Sequence, residues 1–284
     1  MTYAPPGDRA VADDARGPTR RPPARPPGGT GAGGRVVAVA LPLATLLLLI
    51  ALWELATIAF DVDAFIVPSP TDIARALEES RATLPGHAWA TLWETLLGFA
   101  LSVAVGVPLA VLIVYSRFLE RTIYPILLAL QAVPKVAIAP VLVLWMGFGI
   151  GPKIVVIFLI AVFPIVISTA TGLRSTPPEF LDLARSLSAS QWQTFRRIRF
   201  PGALAQIFVG LKVAISLAVI GAVIGEFVGA DEGLGYVIVI SGGNVNTALA
   251  FAAMVLLSLI SIVLFYALVA LERLLVPWAD QERQ

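Results

Sequence analysis

Six stretches of some twenty or more residues, each nearly free of charge, dominate this sequence and leave few folds open to it. They run at about 36–60, 89–115, 122–147, 153–172, 203–229 and 248–275. Crossing the hydrocarbon core of a bilayer takes roughly 20 apolar residues, and in lipid a helix satisfies its backbone N–H and C=O groups internally. The expected fold is therefore all-α: a polytopic membrane protein with six transmembrane helices. With 58% hydrophobic residues, 14% charged residues and a mean hydropathy of +0.86, the chain is too apolar for an ordinary soluble domain.

The formal net charge of +1 gives no reason to expect nucleic acid as a partner; the lipid bilayer is the expected one. No cysteine is present, which excludes disulfides, thiolate zinc sites and cysteine nucleophiles together. The first apolar run, from Val36 to Phe60, is longer than a signal-peptide core and lacks a small-residue cleavage site, so it reads as a retained span. Ahead of it, residues 1–35 are rich in Pro, Gly and Arg with little to bury, the composition of a disordered tail. That tail contains a formal GxGxxG at Gly29, Gly31 and Gly34, but no strand precedes it, so a dinucleotide site fails its context. The membrane domain then covers 36–279, and 280–284 form a short C-terminal tail.

Between the first two spans, Ser69, Pro70 and Asp72 predict the start of a short helix too charged to cross the membrane. Lys and Arg in the loops set the orientation. If the N-terminus is cytoplasmic, the inner side carries the arginines of the tail with Arg117, Arg121, Arg174, Arg185, Arg196, Arg197, Arg199, Arg273 and Arg283. The outer side then keeps only Arg75, Arg81 and Lys153. By the positive-inside rule both termini are expected in the cytoplasm. Prolines 108, 125, 134, 140 and 164 lie in or beside spans, where each removes a backbone donor and favours a kink.

The long loop at about 173–201 carries two helix starts. Thr176, Pro177, Pro178 and Glu179 read as a capping box, and Ser190 to Gln193 as a second, weaker one. Phe180, Leu183, Ala184 and Leu187 recur at helical spacing and form an apolar stripe, with Asp182, Arg185 and Ser186 on other faces. A helix pair outside the membrane with one apolar stripe suits docking into another protein's groove.

This loop resembles the EAA loop of permeases in bacterial ABC importers: EAA, three residues, Gly, nine residues, then Ile, any residue and Leu-Pro. Asp182, Leu183 and Ala184, then Ser188, then Ile198, Phe200 and Pro201 occupy those positions in register. Ser188 stands where the pattern has glycine. It either takes a positive φ at a steric cost or turns with ordinary angles and uses its hydroxyl locally. Further stretches from about Asp61 to Ala279 are similar to the subfamily that imports nitrate, sulfonates, taurine and related solutes, among them FIVPSPTDIARAL, YPILLALQAVPKVAIAPVLVLWMGFGIGPK and GEFVGADEGLGYVI.

The resemblance implies a homodimer of this permease in the inner membrane. It also implies cytoplasmic ATPase subunits at the loop and an extracytoplasmic solute-binding protein on the other face. Glu179, Asp182, Leu183, Ala184, Arg185, Ser188, Ile198 and Pro201 become the expected docking residues. The chain has no phosphate loop of its own, and GFGIGPK at Gly147–Lys153 does not fit one, so no cofactor is expected here; ATP and magnesium fall to the partner ATPase.

Charges inside spans are costly and usually functional. Gln131, Lys135 and Glu226 either line the translocation path or pair with one another, or with Glu54 or Glu94, to hold the bundle. Lys212 is expected to snorkel and His87, beside Trp89 and Trp93, to anchor at the interface. Small residues at Gly210, Ala214, Ala218, Gly221, Ala222, Gly225 and Gly229 predict close helix packing. Gly233 to Tyr236 predict a tight outer turn. No catalytic constellation and no metal site is visible, against an intramembrane enzyme, and a secondary transporter has no use for the docking loop. The solute stays open: SLAVIGAVIGEFVGADEGLGY also resembles permeases grouped with uptake of pyrimidine or riboflavin precursors.

Overall fold

A computed structural model describes residues 32–280; Gly29 and Gly31 of the GxGxxG and most of the expected tail lie outside the described residues, as do the last four positions, while Gly34 is in the first turn of a helix. The described residues divide into two units, one ending at Leu49 and the other beginning at Ile50. Helix α1 (Ala32–Ala59) starts four residues ahead of the expected span, and its Leu41, Leu43 and Leu46 to Leu49 are exposed, as suits a lipid-facing surface. Eleven α-helices follow one another among the described residues: after α1 come α2 (Pro70–Glu79), α3 (Leu84–Tyr115), α4 (Arg117–Ala132), α5 (Lys135–Met146) and α6 (Ile150–Arg174). Then come α7 (Pro178–Ser186), α8 (Gln191–Thr194), a π-helical turn (Phe195–Arg199), α9 (Phe200–Phe227), α10 (Leu234–Gly243) and α11 (Thr247–Leu275).

Five of these segments are long and apolar enough to cross a membrane unbroken: Ala40–Ala59, Leu84–Tyr115, Ile150–Arg174, Gln191–Phe227 and Thr247–Leu275. The expected third span is a broken one. Its halves, α4 and α5, meet at 95° where Val133 and Pro134 leave helical geometry. A proline lacks the N–H that an unbroken helix needs, and the residue before it is pushed to extended angles. Pro108, Pro125, Pro140 and Pro164 lie within helices that continue past them.

The core forms where α3, α6 and α9 meet. Ile157, Ala161 and Ile165 of α6 pack with Ala214, Ala218 and Ala222 of α9, and Phe99, Val103 and Val107 of α3 close over them. The small-residue stripe of α9 sets this distance. A Cβ on Gly210 would lie 2.5 Å from the Ser168 Cβ, and one on Gly221 would lie 2.9 Å from the Ile157 Cα, so the backbones touch where only hydrogen fits.

Helix α2 begins as its sequence requires. The Ser69 hydroxyl accepts from the Asp72 N–H at 3.1 Å, the Asp72 carboxylate accepts from the Ser69 N–H at 3.2 Å, and Pro70 opens the first turn. Glu54, weighed as a partner for charges in the spans, instead accepts from the N–H and hydroxyl of Thr71 at 3.0 and 2.8 Å. Ile73 and Ala76 bury the other face against Ala252 and Trp53.

The Asp72 carboxyl is held below its usual range, first by the Ser69 hydroxyl and also by Arg75, with partial burial opposing. Its folded pKa lies below the unfolded one, so its stabilisation is complete above the ordinary carboxylate range. It disappears as pH falls through the lowered value. Protection of the α2 amides relative to the free-peptide exchange rate is accordingly expected to fall in acid, and Ser69→Ala to destabilise the helix by about 1 kcal/mol at neutral pH. An exchange rate in α2 unchanged by Ser69→Ala would rule this out.

Candidate functional site

Beyond α6 the chain leaves the apolar bundle, and the loop that follows is built from local signals. Ser175 caps α6, its N–H donating to the Thr171 carbonyl at 3.1 Å. The capping box expected at Thr176 does not form. Pro177 is the N-cap of α7, and the Thr176 hydroxyl has no partner among the described residues, because two successive prolines move the helix start one residue on. The box at Ser190 does form: its hydroxyl accepts from the Gln193 N–H at 3.2 Å, and the Gln193 side chain accepts from the Ser190 N–H at 2.8 Å.

Helix α7 ends in a Schellman motif. The Ser188 N–H donates to the Arg185 carbonyl and the Ala189 N–H to the Ala184 carbonyl, both at 2.9 Å, with Ser188 at φ +54°. Of the two conformations open to Ser188, the left-handed one is realised, at the place where the EAA pattern has glycine. Ser188→Gly is expected to stabilise the loop by about 1 kcal/mol and Ser188→Val to destabilise it by at least as much, since a β-branched side chain resists positive φ. Amide exchange at Ala189 measures both; equal protection in the two variants would refute the assignment.

The motif leaves a defined surface. Phe180, Leu183 and Leu187 of α7 are exposed, Leu187 at 72%, while Ala184 is buried at 4%. Leu183, Ala184 and Leu187 face Ala189, Gln193 and Ile198 across a groove of about 380 Å³. Asp182 and Arg185 pair with each other at 2.7 Å on the exposed side. Glu179 is exposed in the first turn of α7, and Pro201 is at the start of α9, outside the groove.

At the other end of the bundle a buried polar cluster joins α3, α6 and α9. Lys153 donates to the Glu94 Oε1 at 2.6 Å, with the two side chains 5% and 3% exposed. Sequence reasoning counted Lys153 as an outer loop charge; α6 begins three residues before it and draws it inside. Opposite charges in two apolar stretches are the signal that could have found this pair.

Glu226 is 2% exposed, and its carboxylate accepts from the Thr91 hydroxyl at 2.7 Å and from the Gly235 N–H at 2.5 Å. Thr91 also accepts from the Leu234 N–H at 2.8 Å, and His87 Nδ1 accepts from the Gly233 N–H at 3.1 Å. Glu226, Thr91 and His87 thus hold the turn that starts α10, and the His87 ring also lies 5.9 Å from that of Tyr236. Gln131 and Lys135 are hydrogen-bonded to each other across the break at Pro134. Lys212 does not snorkel: it bonds Glu272 of α11 at 2.7 Å.

The chain is a helical membrane bundle with one broken span and an amphipathic helix, α7, between two of its spans. The chain belongs to the family of binding-protein-dependent transport system inner membrane components, whose pattern matches residues 102–281. It is 36% identical over 242 residues to the formylaminopyrimidine transport permease protein ThiX of Halalkalibacterium halodurans, covering 85% of this chain and 96% of that one. It is 39% identical to the riboflavin transport system permease protein RibX of Chloroflexus aurantiacus, covering 85% and 90%. The taurine transport system permease protein TauC of Escherichia coli is 29% identical, over 84% of this chain and 90% of that one. In fold it is similar to a chain of the inward-facing MetNI methionine ABC transporter, at a TM-score of 0.63 and 22% identity, covering 70% of this chain and 98% of that one.

Proposed function

We propose that this permease serves an ATP-driven importer in which two copies pair in the inner membrane. A binding protein delivers the solute from outside, and ATPase subunits dock on the cytoplasmic loop, with both termini on the ATPase side. The observation that carries the reading is the apolar stripe of Phe180, Leu183 and Leu187, left exposed outside the spans beside a groove bounded by Ala184 and Ile198. Glu179, Asp182 and Arg185 surround it with charge that fixes register, and Ser188 and Pro201 set the geometry of the two helices.

ATP and magnesium belong to the ATPase. Closure of the ATPase on nucleotide moves α7, and the equilibrium between outward and inward access shifts by the difference in docking free energy between the two states. Gln131 and Lys135, at the break in the third span, are assigned to the path, while Glu226 acts on it through the turn it holds. Residues 36–279 form the permease domain in this reading, with the flanking segments as tails.

For the solute, the identities of 36% and 39% to the formylaminopyrimidine and riboflavin permeases, against 29% to TauC, support a nitrogen heterocycle over nitrate, a sulfonate or taurine. The test is capture of candidate ATPases by the tagged full-length chain in detergent. Wild type is expected to retain them stoichiometrically and Asp182→Lys and Ala184→Glu to lose them; Asp182 is exposed, so its variant reports the contact rather than the fold. Solute uptake that proceeds without ATP would overturn the importer. In proteoliposomes with the cognate binding protein, uptake of taurine or nitrate in place of formylaminopyrimidine or riboflavin would overturn the solute class.

A further inference from the structure

Beside the docking groove lies a second pocket, of about 410 Å³, lined by Tyr115, Leu181, Arg185, Gln191, Thr194 and Arg199 among others. Its position follows from helix lengths. Helix α3 has 32 residues, about 48 Å at 1.5 Å per residue, which exceeds the roughly 30 Å hydrocarbon core, so the helix projects beyond the core and Tyr115 is the residue at one of its two ends. The π-helical turn that ends in Arg199 leads directly into α9, and the helical segment from Gln191 to Phe227, at 37 residues, also exceeds the length needed to span the core.

Two independent features mark this place as an interface with lipid. Tyr115, Trp192 and Phe200 surround Phe195, with ring centroids 5.6–5.9 Å from it, and Trp192 is 66% exposed: a cluster of the amphipathic and aromatic residues that settle among headgroups. The same turn carries Arg196, Arg197 and Arg199, and among the described residues none of them has a carboxylate within salt-bridge distance. The Arg199 guanidinium is held over the Tyr115 ring, 5.5 Å from its centroid, which positions a planar donor fork beside the pocket without neutralising it. Gln191 and Thr194 add uncharged hydrogen-bonding groups, and Leu181 supplies an apolar wall.

We propose that this pocket binds the phosphodiester headgroup of an anionic phospholipid, with Arg199 as the principal ligand and Arg185, one of whose nitrogens pairs with Asp182, as the second. An oxyanion with an attached acyl body matches both halves of the lining: the guanidinium donors meet the phosphate, and the aromatic cluster meets the glycerol and upper chains. Because Arg185 belongs to α7, an occupied pocket ties the loop to the bilayer surface. This site adjoins the docking groove, sharing Ala189 and Thr194 with it, and lipid binding to it can be observed without an ATPase.

The experiment is native mass spectrometry of the delipidated full-length chain in detergent. It is titrated separately with dioleoylphosphatidylglycerol and dioleoylphosphatidylcholine, and with phosphatidylglycerol in the presence of millimolar inorganic phosphate. Phosphatidylglycerol is expected to bind in preference to phosphatidylcholine. Arg199→Gln is expected to weaken it about five- to tenfold, and Arg199→Lys less, because charge is kept and the fork is lost. Arg81→Gln, on the outer side, should leave binding unchanged. Where Arg199→Gln is not monodisperse, Arg185→Gln carries the same test, since its side chain is exposed. Equal binding of the two lipids, or equal binding by wild type and the Arg199 and Arg185 variants, overturns the proposal. Displacement by inorganic phosphate alone overturns the lipid source and leaves a soluble oxyanion in its place.

Discussion

Lys153→Met is expected to destabilise the folded chain by about 3–5 kcal/mol, the range found when one partner of a buried ion pair is removed. The size follows from what remains. Glu94 is 3% exposed, its Oε1 would lose the ammonium 2.6 Å away, and its Oε2 has no hydrogen-bond donor among the described residues. A carboxylate stranded among α3, α6 and α9 must then be protonated or solvated by opening the bundle. The double variant Glu94→Gln with Lys153→Met is expected to be more stable than Lys153→Met alone, because the stranded charge is gone. Unfolding of the detergent-solubilised protein, followed for both single variants and the double, measures the coupling. A single variant within about 1 kcal/mol of wild type would remove the pair from the account of what holds these helices.

The second large effect is expected at Gly233. Its φ of +113° is strained for any L side chain, and a Cβ there would overlap the Glu226 carboxylate carbon. Backbone strain of about 1–3 kcal/mol and a comparable overpacking term combine, so Gly233→Val should destabilise the protein by about 3–5 kcal/mol. The disruption should centre on the turn, where Leu234 and Gly235 lose Thr91 and Glu226 as acceptors, and amide exchange at those two positions reports it directly. Gly242 is the control. It lies in the same short helix, a Cβ there would meet nothing within 4 Å, and Gly242→Ala should be neutral or stabilising by up to about 1 kcal/mol. Equal tolerance at 233 and 242 would show that Glu226 does not depend on this backbone.

Local chemistry was legible in the sequence wherever a residue acts on its own backbone. Ser69 starts the helix expected there, Ser190 with Gln193 forms the box its spacing predicts, and the small-residue stripe of α9 is buried against α6. Thr176 fails because capping depends on one residue of register, which consecutive prolines shift. Pro134 announced a kink, but a bend of 95° depends on what the two halves pack against, and five prolines of equal standing in the sequence gave one break.

Membership in the membrane class, the order of the spans and the place of the short helices between them follow from sequence alone. Each of these rests on contiguous composition: length against bilayer thickness, and helix signals a few residues apart. The partners of the charged side chains did not follow. Glu94 with Lys153, Thr91 with Glu226 and Lys212 with Glu272 are separated by 59, 135 and 60 residues, and Glu54 went to a local helix start instead. A charge in an apolar stretch declares that it needs a partner, because lipid offers none. Which partner it finds is decided by the rotation and depth of neighbouring helices, and those are set by the packing of α3, α6 and α9 around residues as small as glycine.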